Sequence, residues 1–251
     1  MIIGAQLYTV RAFCKDLDSF AETLEKIADI GYTAVQVSGT CDFEPEWLKA
    51  QLDKAGLRCV LTHTPVDQLK ADPFTVAKKH DIFGCKNVGL GYFKFSKEDG
   101  HSYEDFKALI TPMVEGVSRA GKYFMYHNHA SEFSRSEGKV ILERIAEDFP
   151  GDKLGFTPDT YWIQAGGGDP AQWIEKLSGR VPCIHLKDFA FDGDKKMAVV
   201  GEGNINFDRV FLAAEAAGTE YMLVEQDDCY GEDPFACLAR SYDYLRSRGF
   251  K

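Results

Sequence analysis

Two histidines, an amide and a carboxylate fall close together in Tyr126-His127-Asn128-His129-Ala130-Ser131-Glu132-Phe133. The aromatic, apolar run Tyr123-Phe124-Met125 leads into them and reads as a buried strand. A strand that ends in imidazole and carboxylate places metal ligands or acid–base groups at its carboxyl end. The chain has six histidines, and two of them stand here. A polar loop with hydrogen-bonded histidines is the plainer alternative, and the rest of the chain weighs against it.

The same kind of ending recurs. Strand candidates fall at residues 3–7, 34–37, 59–62, 87–90, 123–126, 154–157, 183–186 and 222–224. Their ends carry Gln6 and Tyr8; Gln36; His63; His127, His129 and Glu132; Asp159; His185, Lys187 and Asp188; and Glu225 with Asp227. Carboxylates mixed with imidazoles are ligand chemistry for Mn²⁺, Zn²⁺, Co²⁺ or Mg²⁺, with no thiolate to favour a structural zinc. Each residue also has a plainer reading. Asp159 fits a helix N-cap, His185 a satisfied core histidine, and Lys187-Asp188 a surface pair. His80 and His101, on helix-like and loop segments, are expected to be solvated.

These ends need a scaffold that gathers them. Helical patterns end at Gly31, Gly56, Gly84, Gly121 and Gly218, and a short apolar run follows each. Residues 16–30 put Phe20, Leu24 and Ile27 on one face, and Pro45, Pro73 and Pro170 suit first helical turns. The pattern over 103–120 contains Pro112, which predicts a kink or break. Eight alternating strand–helix units in 251 residues predict a single (β/α)8 TIM barrel over 1–251, whose chemistry gathers at the carboxyl ends of the strands. A doubly wound open sheet is disfavoured because no Gly-rich phosphate fingerprint follows the first strand.

Composition narrows the partners. A net charge of −10 and a pI near 5.1 argue against a general affinity for nucleic acid or anionic membrane. No apolar run approaches the length of a bilayer span. Seven scattered cysteines without a C-x-x-C pair, and a start without a basic, apolar leader, lead us to expect reduced thiols and a cytoplasmic location.

Tyr126-His127-Asn128-His129 with Glu132-Phe133, Pro158-Asp159-Thr160, His185-Leu186-Lys187-Asp188, Gly201-Glu202-Gly203 and Val224-Glu225-Gln226-Asp227 together resemble the sugar phosphate isomerase/epimerase family of xylose isomerase-like barrels. The resemblance covers nearly the whole chain. It implies one divalent metal ion, Mn²⁺ foremost, held by a carboxylate from the fifth strand and by residues matching Asp159, His185 and Glu225. Glu132 is favoured as that carboxylate, with His127 as the other candidate. Gln36 stands where relatives often carry Glu. Dimers or tetramers are implied as well.

The expected chemistry is isomerisation or epimerisation of a keto-sugar or related polyol. The metal polarises the carbonyl, Glu225 removes the neighbouring proton, and Glu132 or His127 returns one on the opposite face. Lys187 would steady the enediolate. His63, His129, Trp162 and Tyr8 are expected to contact the sugar. A dehydratase or lyase would use the same site. A zinc endonuclease acting on abasic DNA would need more histidines and a basic face, and a non-catalytic sugar-binding barrel would tolerate loss of the ligands.

Overall fold

A computed structural model describes residues 1–96 and 101–251. Eight parallel strands form the wall: β1 (Ile2–Gln6), β2 (Ala34–Val37), β3 (Arg58–His63), β4 (Asn87–Leu90), β5 (Tyr123–His127), β6 (Leu154–Thr157), β7 (Cys183–Leu186) and β8 (Tyr221–Val224). Their order round the wall is β6-β5-β4-β3-β2-β1-β8-β7. A parallel bridge between Asp159 and His185 spans the remaining gap, from β6 to β7. Helices pack outside, so this is the TIM barrel that the strand–helix alternation predicts.

Local sequence sets the elements. Helix Leu17–Ile30 opens with a capping box between Asp16 and Ser19, buries Phe20, Leu24 and Ile27, and stops at Gly31, whose φ of 118° suits glycine alone. Helix Tyr103–Arg119 continues through Pro112 without a break. Its buried face of Phe106, Ile110, Met113, Val114 and Val117 outweighs one missing backbone hydrogen bond.

Strand alternation explains where the core stops and the site begins. A small apolar cluster includes Ala34, Leu61, Met125, Cys183 and Leu223. Each stands two residues before Gln36, His63, His127, His185 or Glu225, and so on the same face of its strand. The apolar layer plugs the barrel, and the polar layer lies directly above it at the carboxyl ends. Between β2 and β3 the register skips Val60, pairing Val35 with Cys59 and Gln36 with Leu61. Such an irregularity re-aims the residues beyond it, here Leu61 and His63.

His80 is buried, not solvated: its ring bonds Thr62 Oγ1 at 2.8 Å and the Val76 carbonyl at 2.9 Å. All seven cysteines are unpaired. Among the described residues no helix is long and apolar enough to cross a membrane.

Candidate metal centre and substrate cavity

Four buried residues converge above the plug: His127, Asp159, His185 and Glu225 each offer one ligand atom, all within 4.8 Å of one another. His127 Nε2 lies 3.2 Å from Asp159 Oδ2, and His185 Nδ1 lies 3.7 Å from that oxygen and 2.9 Å from Glu225 Oε2.

The outer partners decide how the rings are turned. The Gly91 carbonyl, 2.9 Å from His127 Nδ1, can only accept, so Nδ1 carries the proton and Nε2 is the nitrogen presented to the centre. His185 Nε2 donates to Gln36 Oε1 at 2.6 Å, which presents Nδ1. Gln6 is fixed in turn: its Oε1 accepts from the Tyr8 backbone N–H, so its Nε2 donates to Glu225 Oε1 at 2.8 Å. Asp159 divides its carboxylate. Oδ1 caps the following helix through Trp162 N at 2.9 Å, while Oδ2 faces the centre. The helix cap and the site ligand are therefore one residue.

This donor set fits a divalent ion. His185 Nδ1 and Glu225 Oε2 are buried and close, yet neither has a hydrogen-bond partner in favourable geometry. Two imidazole nitrogens and two carboxylate oxygens aimed at one point, each backed by an outer hydrogen bond, is the arrangement such an ion takes. Burial pushes the carboxyls of Asp159 and Glu225 up. Lys187 and the imidazoles override it and hold both below the usual carboxylate range. Burial pulls the His185 imidazolium down, and Glu225 and Asp159 reverse that.

Glu132 is not part of this centre. Its carboxylate accepts from Tyr126 Oη at 2.6 Å and Ser131 Oγ at 2.6 Å, and Tyr126 packs on Phe106 in the helix layer. Tyr126 and His127 are neighbours on one strand, so they face opposite sides of the wall. Glu132 follows Tyr126 outward, and His127 is the fifth-strand member of the cluster. Burial raises the Glu132 carboxyl.

A cavity of about 520 Å³ opens above the centre, lined by Gln6, Tyr8, His63, His127, His129, Lys187, Glu225 and Asp227, among others. Lys187 is buried and bridges Asp159, Glu225 and Asp227, so the plainer reading of a surface pair with Asp188 does not hold. Asp188 instead accepts from the backbone N–H groups of Phe189, Gly201, Gly203 and Ile205, pinning the Gly201-Glu202-Gly203 loop. Burial and the nearby Glu225 push the Asp227 carboxyl up to about 6, against the pull of Lys187. His63 Nε2 and His129 Nδ1 are buried without partners. Burial holds the His63 ring well below its ordinary value and lowers His129 to about 3, with His127 adding to both. Both rings are therefore neutral. Tyr8 stands half-exposed at the rim beneath the Arg11 guanidinium. Trp162 does not line the cavity: its ring is covered by His129 at 5.0 Å and Tyr161 at 4.9 Å.

The orienting residues Gln6, Gln36 and Gly91, and the carboxylate Asp227, were not singled out for these roles by sequence. Position at a strand end is the signal that was available for the two glutamines and Asp227. Gly91 carries none, because its part is played by a carbonyl and by the lack of a side chain.

A parallel barrel with a buried imidazole–carboxylate cluster at the carboxyl ends of its strands defines a class of TIM-barrel protein. Within it, the family described as xylose isomerase-like TIM barrel matches residues 24–248, and the chain belongs to that family. It is 24% identical to an inosose dehydratase of Geobacillus thermodenitrificans over 91% of this chain and 89% of that protein. An inosose dehydratase of Geobacillus kaustophilus is 22% identical, over 90% and 83%. In structure it is similar to a sugar phosphate isomerase/epimerase from Parabacteroides distasonis, with a TM-score of 0.82 at 24% identity, covering 98% and 93% of the two chains. An L-ribulose 3-epimerase superposes with a TM-score of 0.73 at 15% identity, covering 98% and 94%.

Proposed function

We propose that this protein is a divalent-metal-dependent isomerase or epimerase that moves a proton beside the carbonyl of an uncharged keto-sugar or related polyol. The observation that carries the reading is the four-residue centre, whose presented nitrogens and oxygens meet at one point under the floor of a sugar-sized cavity. A divalent ion held there would polarise a substrate carbonyl and acidify the adjoining C–H. Glu225 reaches the cavity wall as a carboxylate and takes the proton. Lys187 donates to the oxygen that gains charge. Neutral His63 and His129 offer their unpartnered nitrogens to hydroxyls, and both rings pack on His127 at the edge of the centre. Lys187 is the only cation among the described residues lining the cavity, and three carboxylates already engage it. An uncharged sugar therefore suits this pocket better than a phosphorylated one. The chain's acidity likewise favours a small-molecule partner over nucleic acid.

A dehydratase is the second reading, and Asp227 favours it. A carboxyl raised to about 6 beside the candidate base can protonate a departing hydroxyl, which leaves as water once Glu225 has taken the C–H proton. The two Geobacillus relatives are named for such a reaction. Incubating the Mn²⁺-loaded protein with ketohexoses and keto-inositols in D₂O separates the readings by proton NMR. Deuterium gained at the carbon beside the carbonyl without loss of water supports the isomerase or epimerase. An enone product supports the dehydratase. Absence of both exchange and a dehydrated product with every ketohexose and keto-inositol in the panel contradicts both.

A further inference from the structure

Lys187 is ion-paired with the oxygens that the metal centre needs. Its Nζ lies 3.1 Å from Asp159 Oδ2 and 2.9 Å from Glu225 Oε2. These are the two oxygens that face the nitrogens of His127 and His185. The ammonium also meets both oxygens of Asp227, at 3.0 and 3.1 Å, and Asp227 lies outside the four-residue centre. In a buried site, an ammonium and a divalent ion sharing two carboxylate oxygens repel strongly, because little water screens them. The same carboxylates with neither cation would be buried and uncompensated.

We propose that Lys187 is the centre's resident counter-cation, that it gives up Asp159 and Glu225 when a divalent ion is taken up, and that Asp227 holds it from then on. The inference rests on reading the four residues as a metal centre. The flexible four-carbon stem and rotating ammonium of lysine permit the exchange without moving the backbone. Two consequences follow from it. The lysine-bound arrangement competes with metal uptake, so it lowers the apparent affinity in proportion to its population. Uptake also commits the ammonium to the cavity side, where Lys187 and Asp227 both line the wall. Loading the centre then prepares the donor that meets a substrate oxygen.

The test is Mn²⁺ affinity by titration calorimetry on metal-stripped wild type, Lys187→Met, Asp227→Asn and the double variant, beside thermal midpoints without metal. Lys187→Met should bind Mn²⁺ about tenfold tighter and melt lower when stripped, and Asp227→Asn should bind about tenfold more weakly. In the Lys187→Met background, Asp227→Asn should have little further effect, because Asp227 acts through the lysine. Equal or weaker binding by Lys187→Met overturns the proposal. So does a full Asp227→Asn effect in the double variant, which would mean that Asp227 acts on the ion directly by its charge. If stripped Lys187→Met does not fold, it is purified with Mn²⁺ and challenged with chelator. Release slower than wild type supports the exchange, and equal or faster release overturns it. No binding by the wild type would overturn the metal centre itself, whereas failure of the exchange alone leaves wild-type binding intact.

Discussion

Gln36 Oε1 sits 2.6 Å from His185 Nε2, and the two residues come from strands three steps apart round the barrel, β2 and β7. The contact turns His185 Nδ1 toward Asp159 and Glu225. Both partners are completely buried, so no water competes for the bond. Gln36→Leu should fold and yet bind Mn²⁺ about 10- to 100-fold more weakly, the usual effect of removing an outer partner of a ligating histidine. Calorimetric titration measures this, and an unchanged affinity would show that Gln36 does not orient the ring.

Gly91 serves both walls of the cavity. Its carbonyl holds His127, and a Cβ on it would stand 2.6 Å from His63 Nδ1. Gly91→Ala should therefore displace the His63 ring while leaving the far-ultraviolet circular dichroism unchanged. We expect kcat/KM to fall about 100-fold, the scale of a misplacement of about 1 Å. Activity within about twofold of wild type would mean that the His63 position is not critical.

Glu132 has a structural part. Removing its carboxylate by Glu132→Ala leaves the buried Tyr126 hydroxyl without its acceptor. The loss should be about 2–3 kcal/mol, seen as a lower urea midpoint with an unchanged m-value. Because the Tyr126 hydroxyl and Glu132 are partners, Tyr126→Phe should cost less in the Glu132→Ala background than in the wild type, and a cycle with no coupling would contradict the pairing.

His80 makes stability sensitive to acid. Burial lowers it from its ordinary value of 6.5 to about 4, with the Val76 carbonyl opposing. Below pH 6.5 the unfolded chain takes up a proton that the folded chain refuses until about pH 4. The contribution is fully present above that window and is lost as pH falls through it, to the extent of ~3 kcal/mol. His80→Gln should flatten the fall in stability between those limits. His63 and His129 shift in the same direction, so part of the slope remains. A variant whose slope matches that of the wild type would contradict the burial of a neutral His80.

The barrel and most of its polar ends were legible because short apolar runs, helices that stop at glycine and strand-end residues are local signals. Asp159, His185 and Glu225 each stand at the end of an apolar run, and the resemblance to the xylose isomerase-like barrels named them together as a ligand set. Glu132 and His127 were not separable in the same way. They lie five positions apart, separated by a single 3₁₀ turn, Ala130–Phe133, too short for periodicity to say which side chain faces inward. Only the pairing of Glu132 with Tyr126 decides it. His80 was misread for a related reason: its partner Thr62 belongs to a strand 18 residues away. Pro112 shows the converse, a strong local signal overridden by packing. The Lys187–Asp227 contact spans 40 residues and becomes visible only when β7 and β8 lie side by side.

The most direct test of the central claim is metal content by elemental analysis after incubation with Mn²⁺ and desalting, on wild type, His127→Ala and Glu132→Gln. The four-residue centre predicts about one ion per chain in the wild type and in Glu132→Gln, and little in His127→Ala. An ion that survives loss of His127 but not of Glu132 would contradict the centre described for this fold, and an ion-free wild type would contradict the metal-dependent reading altogether.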